Sequence, residues 1–167
     1  MITIIQLKNV RILSCDLLKL ICHMVTVKQV MTSNPITLNE SDTMENALTL
    51  FKKHNFHHLP VVNEANSLIG IISSSDLERT LPGSTLFKVV NLEEYNSTVL
   101  QANLVTQIMK KEVVSVDEDM PIEDAYVLLK KNQFRCLPVI SSNKLSGILT
   151  SMDILEYIFT HFNNKLN

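Results

Sequence analysis

Apolar residues recur along this chain in two ways: at helical spacing, and in short runs bounded by turn residues. Met44, Ala47, Leu48 and Phe51 stand at i, i+3, i+4 and i+7, and so do Ile122, Ala125, Tyr126 and Leu129, which predicts two amphipathic helices. Ser41 is the expected N-cap of the first, and Asp119 followed by Pro121 opens the second. Each closes on cations, Lys52-Lys53 and Lys130-Lys131, which suit the negative end of a helix dipole. A short β-branched segment precedes each helix (Ile36 to Leu38; Val113 to Val116). A hairpin follows each: Leu59 to Val62 with Leu68 to Ile72, and Leu137 to Ile140 with Leu145 to Leu149. A further helix follows each hairpin, and in the last one Ile154, Leu155, Ile158, Phe159 and Phe162 are assigned to the buried side.

These two sets of elements are copies of one another. Val30-Met31 matches Ile108-Met109, an offset of 78 (108 minus 30), and Phe56-His57-His58-Leu59-Pro60-Val61 matches Phe134-Arg135-Cys136-Leu137-Pro138-Val139 at the same offset. The offset then drops to 77 (147 minus 70), pairing Gly70-Ile71-Ile72-Ser73 with Gly147-Ile148-Leu149-Thr150. The slip falls in a hairpin turn, Asn63 to Ser67 against Ser141 to Lys144, where flanking strands tolerate a change of length. Each copy is therefore strand, helix, strand, strand, helix, a mixed α/β (α+β) unit with one sheet face uncovered. Two such units are expected to pack about a pseudo-twofold axis.

The repeats are assigned to residues 24–80 and 105–162. Between them residues 81–104 form a linker, with turn material at Leu81-Pro82-Gly83-Ser84 and a short helix over Leu92 to Leu100, and residues 163–167 are a tail. Residues 1–23 are a separate apolar extension. Lys8, Arg11, Asp16 and Lys19 interrupt it, so no membrane span is expected, and no signal-peptide pattern is present. Val10, Leu13, Leu17, Leu20 and Ile21 share one helical face, so two readings stay open: a docked amphipathic helix, or an annotation artefact with the true start at Met24.

Composition narrows the function. Hydrophobic residues make up 46% of the 167, charged residues 19% and aromatic residues 5%, as in a soluble globular protein with an aliphatic core. The net charge is −2 and the cations are scattered, so no basic stripe for nucleic acid exists. Cys15, Cys22 and Cys136 are odd in number and include no Cys-x-x-Cys. That argues against a disulfide framework or zinc knuckle and for a reducing, cytoplasmic compartment.

The chemistry is expected where both copies end their hairpin. Gly70 to Leu77 and Gly147 to Ile154 both fit Gly-apolar-x-[Ser/Thr]-x-x-Asp-apolar. A strand ends at a hydroxyl residue and a helix begins at once, which offers free N–H groups to a phosphate, while the Asp can accept hydrogen bonds from a ribose diol. The same Asp also suits a first helical turn for capping and dipole reasons alone. Its recurrence in both copies favours a functional role.

With Met-Thr-x-x-Pro and the Leu-Pro-Val strand, the duplicated motif resembles that of cystathionine-β-synthase (CBS) domains. Over about residues 25–160 the chain is similar to a tandem CBS pair, or Bateman module, of the stand-alone kind found in the acetoin-utilisation group. The resemblance implies an adenosine ligand: AMP, ATP or S-adenosylmethionine. It implies that Asp76 and Asp153 bind ribose hydroxyls, that Ser73 and Thr150 contact phosphate, and that main chain near Thr37 and Ser115 borders the adenine. His57, His58 and Arg135 occupy the basic phosphate-reading positions, and Cys136 stands where the family often has His. The modest positive charge favours a monophosphate or S-adenosylmethionine over a triphosphate. The resemblance further implies a disc-shaped homodimer and a regulated protein partner.

No catalytic motif, Walker-type loop or cofactor site is found. His54, His57 and His58 form His-x-x-His-His, but adjacent strand residues face opposite ways, so no metal site is assigned. Two functions remain. One is a regulatory sensor binding an adenosine nucleotide between the repeats; the other is a dimerising interaction module without a ligand.

Overall fold

The computed structural model describes residues 25–54, 56–80 and 93–163. The helical reading of residues 1–23, the turn at Leu81 to Ser84 and most of the tail fall outside them. In chain order the elements are α1 (Val27–Val30), β1 (Thr32–Ser33), β2 (Leu38–Asn39), α2 (Met44–His54), β3 (His58–Val62), β4 (Leu68–Ser73) and α3 (Ser74–Thr80). There follow α4 (Glu93–Ala102), a 3-10 turn at Val105–Gln107, β5 (Val116–Asp117), α5 (Ile122–Asn132), β6 (Cys136–Ser141), β7 (Lys144–Thr150) and α6 (Ser151–Asn163). The α4 helix lies where the linker helix was expected.

Each repeat forms the same three-stranded core of sheet: β2 runs parallel to β3, which pairs antiparallel with β4, and β5, β6 and β7 repeat the arrangement. The second hairpin turns on Ser142 and Asn143, both with positive φ (50° and 64°), the two-residue turn that matches strand twist. The first uses a longer loop closed by the Asn63 side chain, which accepts from the N–H groups of Ala65 and Ser67. This difference accounts for the one-residue slip between the copies.

The halves are joined by an exchange. β1 lies at the start of the first repeat but pairs antiparallel with β7 of the second, Thr32 opposite Ile148. The corresponding segment at the start of the second repeat bridges to β4 of the first, where Ile71 and Lys110 exchange both backbone hydrogen bonds at 3.0 and 2.9 Å. The cores follow the same rule. Val25 and Val27 lie in the cluster built on Val116, Ala125, Leu137 and Leu149, whereas Leu100 and Val105 lie in that built on Leu38, Ala47, Leu59 and Ile72. Helix starts are also supplied from across the seam. The Met44 N–H donates to the Asn103 carbonyl (2.9 Å), and the Ile122 N–H to the Val25 carbonyl (2.9 Å), which satisfies a donor that no intrahelical bond can reach.

Four local expectations are corrected. Thr43, not Ser41, caps α2: its hydroxyl accepts from the Asn46 N–H, while Ser41 is held by Asn39. In α5 Pro121 stands at the N-cap without a side-chain bond, and Asp119 is drawn off by Asp117. Tyr126 is 48% exposed, because the face it was assigned to is already filled by Ile122, Ala125 and Leu129. Finally, α6 packs Ile154, as assigned, and Tyr157 partly buried against the core, but Leu155, Ile158 and Phe159, assigned to the same side, are exposed, and the Phe162 side chain is outside the described residues.

The exchange places Met31 and Met109 over Gly147 and Gly70. A Cβ on Gly147 would overlap the Met31 Sδ and lie 3.0 Å from its Cγ; one on Gly70 would overlap the Met109 Sδ and lie 3.1 Å from the Lys110 carbonyl oxygen. Overpacking of this kind costs about 1–3 kcal/mol. Gly147→Ala is expected to lower the unfolding free energy by about that much, and adding Met31→Ala is expected to restore part of it. Gly70→Ala is expected to recover less with Met109→Ala, since a backbone carbonyl also stands in the way. Denaturant unfolding of the single and double variants measures both couplings.

Candidate functional site

At each strand-to-helix junction the Ser/Thr and Asp of the repeated motif form a capping box. Ser73 is the residue before α3 and Asp76 the third within it. The Ser73 N–H (2.9 Å) and hydroxyl (2.5 Å) donate to Asp76 Oδ2, and the Asp76 N–H donates back to the Ser73 hydroxyl oxygen (3.2 Å). Thr150 and Asp153 repeat this at the start of α6, with 2.6, 2.6 and 3.2 Å. The capping explanation of the two aspartates is therefore true in both copies. It leaves one carboxylate oxygen of each for other work. Asp76 Oδ1 accepts from the Arg79 guanidinium, and Asp153 Oδ1 from the Thr32 hydroxyl (3.0 Å).

Each box opens on a cleft at the seam. The larger cavity, about 610 Å³, has Thr150, Met152 and Asp153 on one side and Asn34, Pro35 and Ile36 on another, with Phe56, His57 and His58 beyond. The smaller, about 140 Å³, has Ser73 and Asp76 facing Glu112, Val113 and Val114, with Phe134, Arg135 and Cys136 beyond. The two linings correspond through the internal repeat, and each draws on both halves. This follows from the exchange: β1 and its counterpart run across the seam and carry Asn34 to Ile36, and Glu112 to Val114, into place. His58, Arg135 and Cys136 border both cavities.

The titratable groups are set by this crowding. Burial, then the neighbouring charges of Arg135 and His57, lower the His58 pKa; Lys110 acts the same way and Asp76 opposes them. Burial pushes the Cys136 thiol up to about 11, so it stays protonated and unreactive at neutral pH. Burial alone would raise the Asp76 pKa, but the two Ser73 hydrogen bonds, with Lys110 and Arg79, more than offset it and hold the carboxyl below its ordinary value.

The sequence-derived residues are thus partly brought together. Ser73 and Asp76 share the smaller cavity with His58 and Arg135, while Thr150 and Asp153 share the larger with His57, His58 and Arg135. Asp76 is only 8% accessible because Ser73 and Arg79 enclose its carboxylate. Thr37 and Ser115 do not line either cavity; the residues just before them do. Lys110, Glu112, Phe56 and Phe134 also line the cavities, although nothing singled them out. The repeated Phe56/Phe134 pair was the available signal, whereas Lys110 and Glu112 have no like counterpart in Thr32 and Asn34.

Comparison with known proteins agrees with this architecture. The CBS domain family model matches residues 27–83 and again 105–160. Among curated relatives, the CBS domain-containing protein YhcV of Bacillus subtilis is 31% identical over 133 residues, covering 78% of this chain and 84% of that protein. L-aspartate semialdehyde sulfurtransferase of Methanocaldococcus jannaschii is 28% identical over 129 residues, 77% of this chain but 22% of the enzyme, so the likeness spans only part of a longer protein. Among solved structures, the acetoin utilization protein AcuB of Vibrio cholerae superposes with a TM-score of 0.70 at 25% identity, covering 85% of this chain and 96% of that one. CBSX2 in complex with AMP gives 0.65 at 26% identity (81% and 96%). The CBS domain pair of MJ0100, in complex with 5′-methylthioadenosine and S-adenosyl-L-methionine, gives 0.62 at 26% (82% and 98%).

The His58 environment generates a pH prediction. Its pKa is lower folded than unfolded, so between the two values the unfolded chain binds the extra proton and stability falls with it. The contribution is complete above the unfolded value near 6.5 and is lost as pH drops below it. Thermal stability of the unmodified chain is expected to fall as pH drops below about 6.5, and His58→Gln is expected to flatten that part of the profile.

Proposed function

The chain belongs to the CBS-domain family, and from that premise we propose that it is a regulatory module which binds an adenosine-containing ligand in the seam between its repeats. The observation that carries this reading is the pair of matched clefts, each ending on a Ser/Thr-x-x-Asp capping box that leaves one carboxylate oxygen directed to other partners. In this reading Asp153 and Asp76 accept from ribose hydroxyls. Thr150 and Ser73, whose hydroxyl protons are already given to those aspartates, position the turn that receives phosphate. Main chain leading into Thr37 and Ser115 borders the base, with Ile36 and Val114 offering apolar contact. His57, His58 and Arg135 read the phosphate.

The ligand is AMP, ATP or S-adenosylmethionine, the monophosphate and S-adenosylmethionine being preferred because the linings carry few cations. CBSX2 with AMP and MJ0100 with S-adenosyl-L-methionine support the adenosine class. Catalysis and a resident cofactor form no part of the reading, and neither does nucleic acid or a membrane. Among the described residues no helix is long and apolar enough to cross one. The setting is the cytoplasm, where such ligands and reduced thiols occur together.

Binding acts on assembly. Met152 lines the larger cavity and is also 69% exposed on α6, beside Leu155 (45%) and Phe159 (64%). An apolar helical face of this kind suits burial in a twofold homodimer, and a ligand touching Met152 alters the helix that a second copy or a regulated partner would read.

Calorimetric titration of the purified chain with AMP, ATP and S-adenosylmethionine tests the ligand. Saturable heat is expected from AMP or S-adenosylmethionine, and silence from all three leaves the dimerising interaction module as the function. Sedimentation of Phe159→Asp tests the assembly: the unmodified chain is expected at the mass of a dimer and the variant at that of a monomer.

A further inference from the structure

The two clefts share one feature that the internal symmetry hides: they draw on the same cation. Arg135 lines both cavities, and so do His58 and Cys136. Burial and the adjacent guanidinium disfavour charge on His58, and the Cys136 thiol stays protonated, so neither of those shared groups replaces Arg135. Among the described residues that line the larger cavity, Arg135 is the one guanidinium or ammonium side chain, against the Asp153 carboxylate. In the smaller, Arg135 and Lys110 face Asp76 and Glu112. With the guanidinium committed to the larger cleft, the smaller keeps Lys110 and the Asp76-bound Arg79 against the two carboxylates Asp76 and Glu112. A second phosphate would find no net positive charge there to offset its desolvation.

Size and occupancy decide which cleft is used. The cavity at Asp153 is about 610 Å³, within the range of about 300–1,000 Å³ typical of small-molecule sites, and that at Asp76 is about 140 Å³. Among the described residues Asp153 Oδ1 is held by the Thr32 hydroxyl alone, which can rotate away; Asp76 Oδ1 is engaged by a guanidinium. We infer that the chain binds one phosphate-bearing adenosine nucleotide at a time, in the Asp153 cleft, because the two clefts share Arg135 as their phosphate reader. This deepens the functional reading above and rests on it. A ligand without phosphate makes no claim on Arg135 and escapes the restriction.

The test is calorimetric titration of the full chain with AMP and, separately, adenosine, near pH 7.5. AMP is expected to bind with a stoichiometry of one per chain. Arg135→Gln is expected to weaken AMP about tenfold to a hundredfold, the loss of a charge-assisted hydrogen bond, and to leave adenosine within about twofold. Asp153→Asn is expected to remove AMP binding. Two AMP sites of equal affinity per chain, or AMP and adenosine weakened equally by Arg135→Gln, would overturn the inference while leaving the adenosine reading intact. No heat from AMP, adenosine or S-adenosylmethionine would overturn both. The stoichiometry of the unmodified chain carries the decision should a variant fail to fold.

Discussion

Neither half of this molecule closes its own core, and the rest of the structure depends on that. The segment at the N-terminal edge of each repeat crosses to the other, adds a strand or bridge to its sheet, fills its hydrophobic cluster and supplies the carbonyl that accepts from the first turn of its helix. A single strand-helix-strand-strand-helix unit would leave buried donors unmet and an apolar sheet face wet. Two units satisfy each other, so the tandem repeat is a requirement of stability as well as a record of duplication. The contacts are reciprocal down to single residues: Val27 donates to Met120, and Val105 to Asp42, each pair related by the 78-residue offset and each at 2.9 Å.

The clefts are a by-product of that exchange. Because each crossing segment runs along a partner strand and then returns, it lays Asn34 to Ile36, or Glu112 to Val114, opposite the helix that starts at the partner's hydroxyl residue. The aspartate there serves two ends. One oxygen closes the capping box and holds the strand-to-helix turn, and the other reaches a further partner, Arg79 for Asp76 and the Thr32 hydroxyl for Asp153. A structural and a ligand-binding explanation of Asp76 and Asp153 are therefore compatible, since a carboxylate has enough acceptor sites for both.

Approximate symmetry is where the two halves become chemically distinct. His58 and Cys136 are equivalent by the repeat and meet at the boundary between the cavities, one an imidazole kept from protonation, the other a protonated thiol. His57 and Arg135 are equivalent too, an imidazole in one copy and a planar guanidinium, suited to bidentate phosphate contact, in the other. Lys110 and Glu112 enter one cleft where Thr32 and Asn34 enter the other. A duplicated fold thus carries two unlike chemical environments, and the α6 face with Met152, Leu155 and Phe159 connects the roomier one to the surface.

Much of the fold was legible along the chain. The internal repeat, the order of elements and the hairpins follow from periodicity and from turn residues, which act over a few positions and so leave a local record. The capping residues were read less well, because Ser41 and Thr43 are equally apt by type and only the backbone path chooses between them. The α6 face was misassigned because a helix apolar on most sides, with Ile154, Leu155, Ile158 and Phe159 all in reach, does not declare which side meets the core. What only tertiary structure decided was the exchange itself, and with it the contents of the clefts. Pairing of Thr32 with Ile148, or of Lys110 with Ile71, depends on contacts far apart in sequence that no local pattern encodes. Sequence alone determined that there are two like halves; long-range packing determined that they share strands, a seam and one arginine.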